Sequence, residues 1–388
     1  MPQSSNRTSP ALTKLNPAAA KALTISLSFF LPIFMLYILE PNSFQSAWKG
    51  RGPYIFFLFL FFLELLKDWR KFQKKTRNPL KRTKTLAVAA TMVAPTIYVI
   101  MVFMFGLNRK IIEVGKLFGI QRYGELFLEN FWPLSLEYIF LTVFFAASIQ
   151  LMYGTNGSKR FAASLCFLGA TGSFYMIDTF YPYGTLTTLQ SFVPFTISSA
   201  TSVLDWMSYK TLLRPGPQGA VHLIIGGPTG GADWHFYWPS AGIHSVLIYT
   251  LVILLFIKDF PFSFPRKTIY SSVPRKFKLI AKNKAISSLL EHEKIRAVVM
   301  YAEIFFINFL RMMPLYAIIT IGAAGTFIAN VLRIVYISTI GSKIGTEQTT
   351  ELFHGYYGEL CFMSWTITYL LILFLLTRKI GQDSAKNK

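Results

Sequence analysis

Charge and sulfur are both scarce in this chain. Only 15% of its 388 residues are charged, and only two are cysteines. Cys166 and Cys361 each lie inside an apolar run, so neither a disulfide framework nor a thiol-rich metal site can be assembled. Acidic residues are the scarcer sign, 18 against 39 Lys and Arg. No polar stretch is long enough to build a core of its own, which excludes a separate soluble domain and leaves 1–388 as one integral membrane unit. No internal repeat is visible, which weighs against the inverted-repeat plan of secondary transporters. The Ser/Asn/Pro-rich basic start shows no small-residue cleavage site, so the first apolar run is expected to remain as a helix.

What the chain has in quantity is apolar length. Hydrophobic residues make up 53% and aromatics 16%, gathered into runs at or near the span of a bilayer. The expected fold is all-α: a polytopic helical membrane protein with about eight transmembrane helices, over 23–39, 53–66, 85–106, 131–152, 161–177, 240–258, 312–336 and 355–377. The second run is short against the roughly 20 residues a bilayer needs. Residues 187–209 hold a run of hydroxyls and Asp205, and 297–311 hold Glu303 and Arg311, so both are expected to be interfacial or re-entrant. A Gly/Pro-rich stretch, 214–239, surrounds the β-like run VHLII and suits an external cap before the sixth span.

The formal net charge of +21 does not point to nucleic acid, because the cations sit beside the apolar runs. Residues 67–84 carry nine Lys or Arg against one Asp, 258–284 are similarly basic, and 378–388 form a basic tail. Basic loops flanking spans mark cytoplasmic segments attracted to anionic headgroups. With eight spans, both termini and both basic loops fall in the cytoplasm of a multi-pass cell-membrane protein. Ser240 then emerges outside after five crossings, and Arg333 and His354 outside after seven.

Three polar clusters stand at the ends of these runs: Trp238-Pro239-Ser240-Ala241-Gly242-Ile243-His244-Ser245, Ala329-Asn330-Val331-Leu332-Arg333-Ile334, and Phe353-His354-Gly355. A hydroxyl nucleophile, a fixed cation and a titratable imidazole are the parts that acyl transfer needs. Each also has a plainer role. A serine after a proline at a helix start serves as an N-cap, an arginine near a membrane edge snorkels, and a histidine beside a glycine caps a helix. Four-residue spacing expects His244 one turn below Ser240 on the same helix face, with Gly242 between them allowing a neighbouring helix to approach. Free N–H groups at that helix start are expected to suit an oxyanion. Asn330 and Arg333, three apart, share a face, and an intramembrane polar pair is a functional candidate. Cys361, two turns beyond His354, is expected to be core packing.

In their order and span positions these clusters resemble the exosortase/archaeosortase family of membrane transpeptidases over roughly residues 190–377. Ser240-Ala241-Gly242-Ile243-His244 stands at the family's Cys-Ser-Gly type motif, Asn330-Val331-Leu332-Arg333 at its Asn-x-x-Arg motif, and His354 at its third position. The resemblance makes 187–377 the sortase-like catalytic region and 1–186 the N-terminal helices. It implies recognition of a C-terminal sorting signal on exported proteins (a short motif, a transmembrane helix and a basic tail), cleavage, and transfer to an acceptor that is expected to be a membrane lipid. No cofactor or metal is implied. The departure is a serine where the family usually has its nucleophilic cysteine, as in the variant described among thaumarchaeal members. A serine depends on a base within about 2.6–3.2 Å. The expected roles are therefore Ser240 as nucleophile, His354 as base and then acid, and Arg333 as oxyanion clamp, with His244 and Asn330 orienting them. His244 is the alternative base, and no carboxylate stands in the matched motifs. An inactive relative that binds sorting-signal helices, or a transporter or scaffold, are the competing readings; Glu137 is the clearest buried charge a transporter could use.

Overall fold

The computed structural model of the protein describes residues 17–46, 48–67, 82–226, 231–258, 293–354 and 357–386. Two of the basic stretches singled out above have their centres, 68–81 and 259–292, outside the described residues. The described chain is mostly helical. Helices α1 (Pro17–Leu39), α2 (Pro53–Lys67), α3 (Arg82–Met104), α4 (Leu107–Leu117), α5 (Trp132–Tyr153), α6 (Thr155–Arg160) and α7 (Ala162–Phe180) form the first half. The second half contains α8 (Thr187–Gln190), α9 (Val193–Trp206), α10 (Ile243–Lys258), α11 (Glu293–Ile344), α12 (Thr346–His354) and α13 (Tyr357–Lys386).

Five described helices are long and apolar enough to cross a membrane: Ala22–Leu39, Thr85–Met104, Phe127–Tyr153, Met313–Ile344 and Gly358–Leu376. Pro53–Leu66 and Ile243–Lys258 are apolar but shorter. The fifth expected span, α7, is 19 residues long and is less apolar, with Ser164, Thr171, Asp178 and Thr179 all buried. It packs between α2, α5 and α10, so its polar groups face protein and not lipid.

The core is aromatic. Phe29, Phe57, Phe61 and Phe161 surround Phe145 with ring centroids 4.9–6.2 Å away, all four edge-on. Charges inside it are paired. The Glu64 carboxylate near the end of α2 accepts from the Ala163 and Ser164 N–H groups at 2.8 and 3.1 Å, capping the start of α7. Arg51 forks onto Glu137 at 2.8 and 2.7 Å and also meets Glu40, and Tyr54 donates to the same Glu137 carboxylate at 3.0 Å. Glu137 lies in the second turn of α5, close to its end, and is neutralised by Arg51; it is not the unpaired mid-bilayer charge a transport pathway would use.

Two expectations about segment boundaries are corrected. Residues 297–311 and 312–336 are not an interfacial piece followed by a span, because α11 is one continuous 52-residue helix with Pro314 inside it. At 1.5 Å per residue it is about 78 Å long, more than twice a bilayer core of about 30 Å, so it is longer than one crossing needs. His354 does not open the last span either: it ends α12, and α13 starts separately at Tyr357. Cys361 therefore does not share a helix with His354.

The Gly/Pro-rich stretch read as a cap carries a sheet. Strands β1 (Thr211–Pro215), β2 (Val221–Ile225) and β3 (Ala232–Phe236) form an antiparallel meander in the order β1-β2-β3, with VHLII as its centre. Alternation decides its faces. Leu223, Ile225, Ala232 and Phe236 turn inward onto Val193, Ile197, Ala200 and Leu204, the helical stripe of α9. At 14 residues, about 21 Å, α9 is too short to cross a bilayer and supports the cap from below. Trp234 rests where a Cβ on Gly341 of α11 would lie, 2.2 Å from the ring, so only glycine admits it there.

Candidate functional site

The first motif is a turn, not the first turn of a helix. The N–H groups of Ala241, Gly242 and Ile243 donate to the carbonyls of Tyr237, Pro239 and Trp238 at 2.8, 3.0 and 3.2 Å. The chain then passes through Gly242 at φ +72°, a left-handed conformation that L side chains rarely adopt, and α10 starts at Ile243. Ser240 is thus outside the helix, and His244 is not one turn below it on a shared face. The three N–H groups that follow the serine are used up by the turn, so they do not form the open oxyanion site expected of a helix start. Ser240 Oγ accepts from the Tyr237 N–H at 2.9 Å and donates to the Tyr237 carbonyl at 3.0 Å. Its side chain is half-buried and closes the turn on itself.

The second motif grips that turn. Arg333 donates through Nη2 to the Ser240 carbonyl at 2.6 Å, and Asn330 through Nδ2 to the Ala241 carbonyl at 2.8 Å. Both side chains are buried, and the guanidinium also lies over the Phe362 ring at 5.6 Å. A Cβ on Gly242 would come within 2.3 Å of Asn330 Oδ1 and 2.6 Å of Arg333 Nη1. The glycine is therefore required twice, for its backbone angle and for the approach of α11. Gln190 holds the turn from the other side, accepting from the Trp238 N–H at 2.9 Å and donating to the Gly219 carbonyl at 2.8 Å.

His244 points into the bundle. Its ring lies 3.7 Å from that of Trp48, and Nε2 is 2.8 Å from Ser245 Oγ, which also contacts Glu359 Oε1 at 2.8 Å. Glu359 sits in the first turn of α13, and Nδ1 of His244 is buried without a hydrogen-bond partner among the described residues. This serine–histidine–carboxylate cluster is not a catalytic triad in its geometry. The carboxylate meets the serine and not Nδ1, and Ser245 is only 2% exposed, so no substrate carbonyl reaches it. A cavity of about 20 Å³, lined in part by Trp48, His244, Ser245, Tyr249 and Glu359, has room for about one water molecule.

His354 is the last residue of α12, which packs on β3 and α13. Its side chain lies outside the described residues. The Asp233 N–H donates to Thr346 Oγ1 at 2.9 Å, so the cap and the helix carrying His354 are joined at the same end of the bundle as the Ser240 turn. The structure thus brings Ser240, Gly242, Asn330 and Arg333 into direct contact, with His244 on the next turn of chain.

Two parts of this region escaped the sequence reading. One is Glu359, hidden because a lone acid at a span boundary reads as an interfacial residue. The other is the segment 48–52. Its Trp48 covers His244, and its Lys49 pairs with buried Asp178 at 2.5 Å and lies 3.9 Å from the centre of the Phe131 ring. Burial pushes the Lys49 ammonium below its ordinary pKa, and Asp178 beside it opposes that shift. A signal was available: Lys49 and Arg51 lie on a segment that the eight-span count puts outside, where positive residues are uncommon.

No protein-family model, curated protein or solved structure matches this chain.

Proposed function

We propose that the protein is a membrane-embedded transpeptidase or peptidase acting on the C-terminal sorting signals of exported proteins. The observation that carries this reading is the contact between the two matched motifs, 93 residues apart in sequence: Arg333 on the Ser240 carbonyl and Asn330 on the Ala241 carbonyl. A helix cap and a snorkelling arginine, arising separately, have no reason to meet inside the protein.

In this mechanism Ser240 Oγ attacks the scissile carbonyl and its proton passes to a histidine. That histidine then protonates the leaving amine, leaving an acyl-enzyme on the serine. The base is assigned to His354, because His244 Nε2 already lies on Ser245 Oγ. Arg333 holds the nucleophile's own peptide in place, and in the proposed role of oxyanion clamp its buried charge stabilises, through space, the negative charge that develops on the substrate carbonyl. Asn330 fixes the turn, and His244 anchors the start of α10. A hydroxyl or amine of a membrane lipid then takes the acyl group, with water as the competing acceptor. The active site faces outside, and both termini and the basic loops face the cytoplasm.

The second reading is an inactive relative that binds sorting-signal helices. It is favoured by the Ser240 hydroxyl, whose two hydrogen bonds to Tyr237 are those of a structural turn residue. Processing of a candidate substrate in cells separates the two readings. Catalysis requires that Ser240→Ala abolish cleavage and that Ser240→Cys retain it. Unchanged cleavage in Ser240→Ala removes the serine from the chemistry. A stable substrate complex that is never cleaved by the unaltered protein establishes the binder.

A further inference from the structure

The outer face of the cap carries a second group of functional side chains, unconnected with the Ser240 turn. His222 on β2 and His235 on β3 are direct cross-strand partners, and Asp233 lies two residues from His235 on the same face. These two are among only five histidines in the whole chain. Their rings stack 4.3 Å apart and 9° from parallel, and His222 Nε2 contacts the Asp233 carboxylate. One donor atom from each of the three residues lies within 4.8 Å of the others.

We propose that His222, Asp233 and His235 form a binding site for a divalent cation of the zinc class. Two imidazoles and one carboxylate, without thiolate, are a donor set that suits zinc, and three protein ligands leave a fourth position open to solvent. A tetrahedral ion about 2.0–2.1 Å from each donor needs them about 3.3 Å apart. Closure needs only side-chain rotation while the strands stay in register, because Asp233 and His235 are exposed and His222 is half-buried beside them on the same face. The packed face of the sheet, through Leu223, Ile225, Ala232 and Phe236, fixes the backbone beneath them. Arg214, the β1 partner of His222, is the cation nearest in register, and it favours an anionic or water fourth ligand over a further protein group.

An ion there ties β2 to β3. Through the hydrogen bond from the Asp233 N–H to Thr346 Oγ1, it also steadies the junction between the cap and α12. The site stands independently of any role for Ser240.

The test uses the full chain in detergent, without a polyhistidine tag and stripped of metal, titrated with Zn²⁺ by calorimetry and with Co²⁺ by visible absorption. One saturable ion per chain is expected, with the Co²⁺ bands of a four- or five-coordinate site and a rise in melting temperature on adding Zn²⁺. His222→Gln and His235→Gln should lose all three responses, Asp233→Asn should weaken them, and His292→Gln should leave them unchanged. Hydrogen exchange on the unaltered protein gives a reading independent of the variants: Zn²⁺ should protect 221–225 and 232–236. Absence of saturable binding, binding that survives in both histidine variants, or protection confined to other segments overturns the proposal.

Discussion

At Gly242 the backbone sits at φ +72° with Asn330 Oδ1 and Arg333 Nη1 on the side where a Cβ would stand. Replacing it with alanine adds about 1–2 kcal/mol of left-handed backbone strain and forces α11 away from the turn. Gly242→Ala is therefore expected to lower the melting temperature in detergent and to abolish substrate processing together. Retained processing at wild-type stability would show that the grip of Asn330 and Arg333 on the turn does not matter. Ser240→Ala differs at the same scale. It removes two local hydrogen bonds to Tyr237 and should cost only about 1 kcal/mol, as loss of a cap does. Loss of activity there cannot be attributed to unfolding.

Among the elements, the chain between α1 and α2 does more than connect them. Arg51 is nearly enclosed, with its fork on Glu137 and a further contact to Glu40, and removing it strands a buried carboxylate. Arg51→Leu is expected to destabilise the protein by about 3–5 kcal/mol, and adding Glu137→Leu should recover most of that, because replacing a buried pair by apolar groups is often neutral or better. Thermal unfolding of the two variants checks this. If the double variant is as unstable as the single one, Glu137 serves something beyond the pair. The long α11 imposes a different constraint. Because 293–344 is one helix, the Glu303 and Arg311 region cannot cross the membrane separately from the span that carries Arg333.

For the whole molecule, that continuity bears on topology. Under the proposed topology, in which α11 crosses once, 266–284 is expected on the face opposite the Ser240 turn. A reporter inserted in 266–284 is expected to read as cytoplasmic, and labelling there by an impermeant reagent from outside would overturn the arrangement. Much of the architecture was legible beforehand. Runs such as 131–152 and 85–106 match their helices within a few residues, since a bilayer core demands continuous hydrogen-bonded apolar helices. The VHLII strand was legible too, as a β-branched apolar run between Gly/Pro turns. The end of α12 at His354 and the turn at Ser240 were not. Both are breaks of only a few residues, and periodicity does not resolve breaks that short.

By itself the sequence determined that this is a mostly helical protein with apolar helices long enough to span a membrane, and it marked Ser240, Asn330 and Arg333 as polar groups near the ends of apolar runs. Those properties depend on local composition, which solvent and bilayer read one segment at a time. Only the tertiary structure decided that Arg333 and Asn330 close on the serine turn, that His244 turns away toward Trp48 and Glu359, and that two histidines and an aspartate meet on the outer face of the cap. Each of these depends on which helix packs beside which, and on the direction a chain leaves a glycine at positive φ. Such choices are made by close packing between residues distant in sequence.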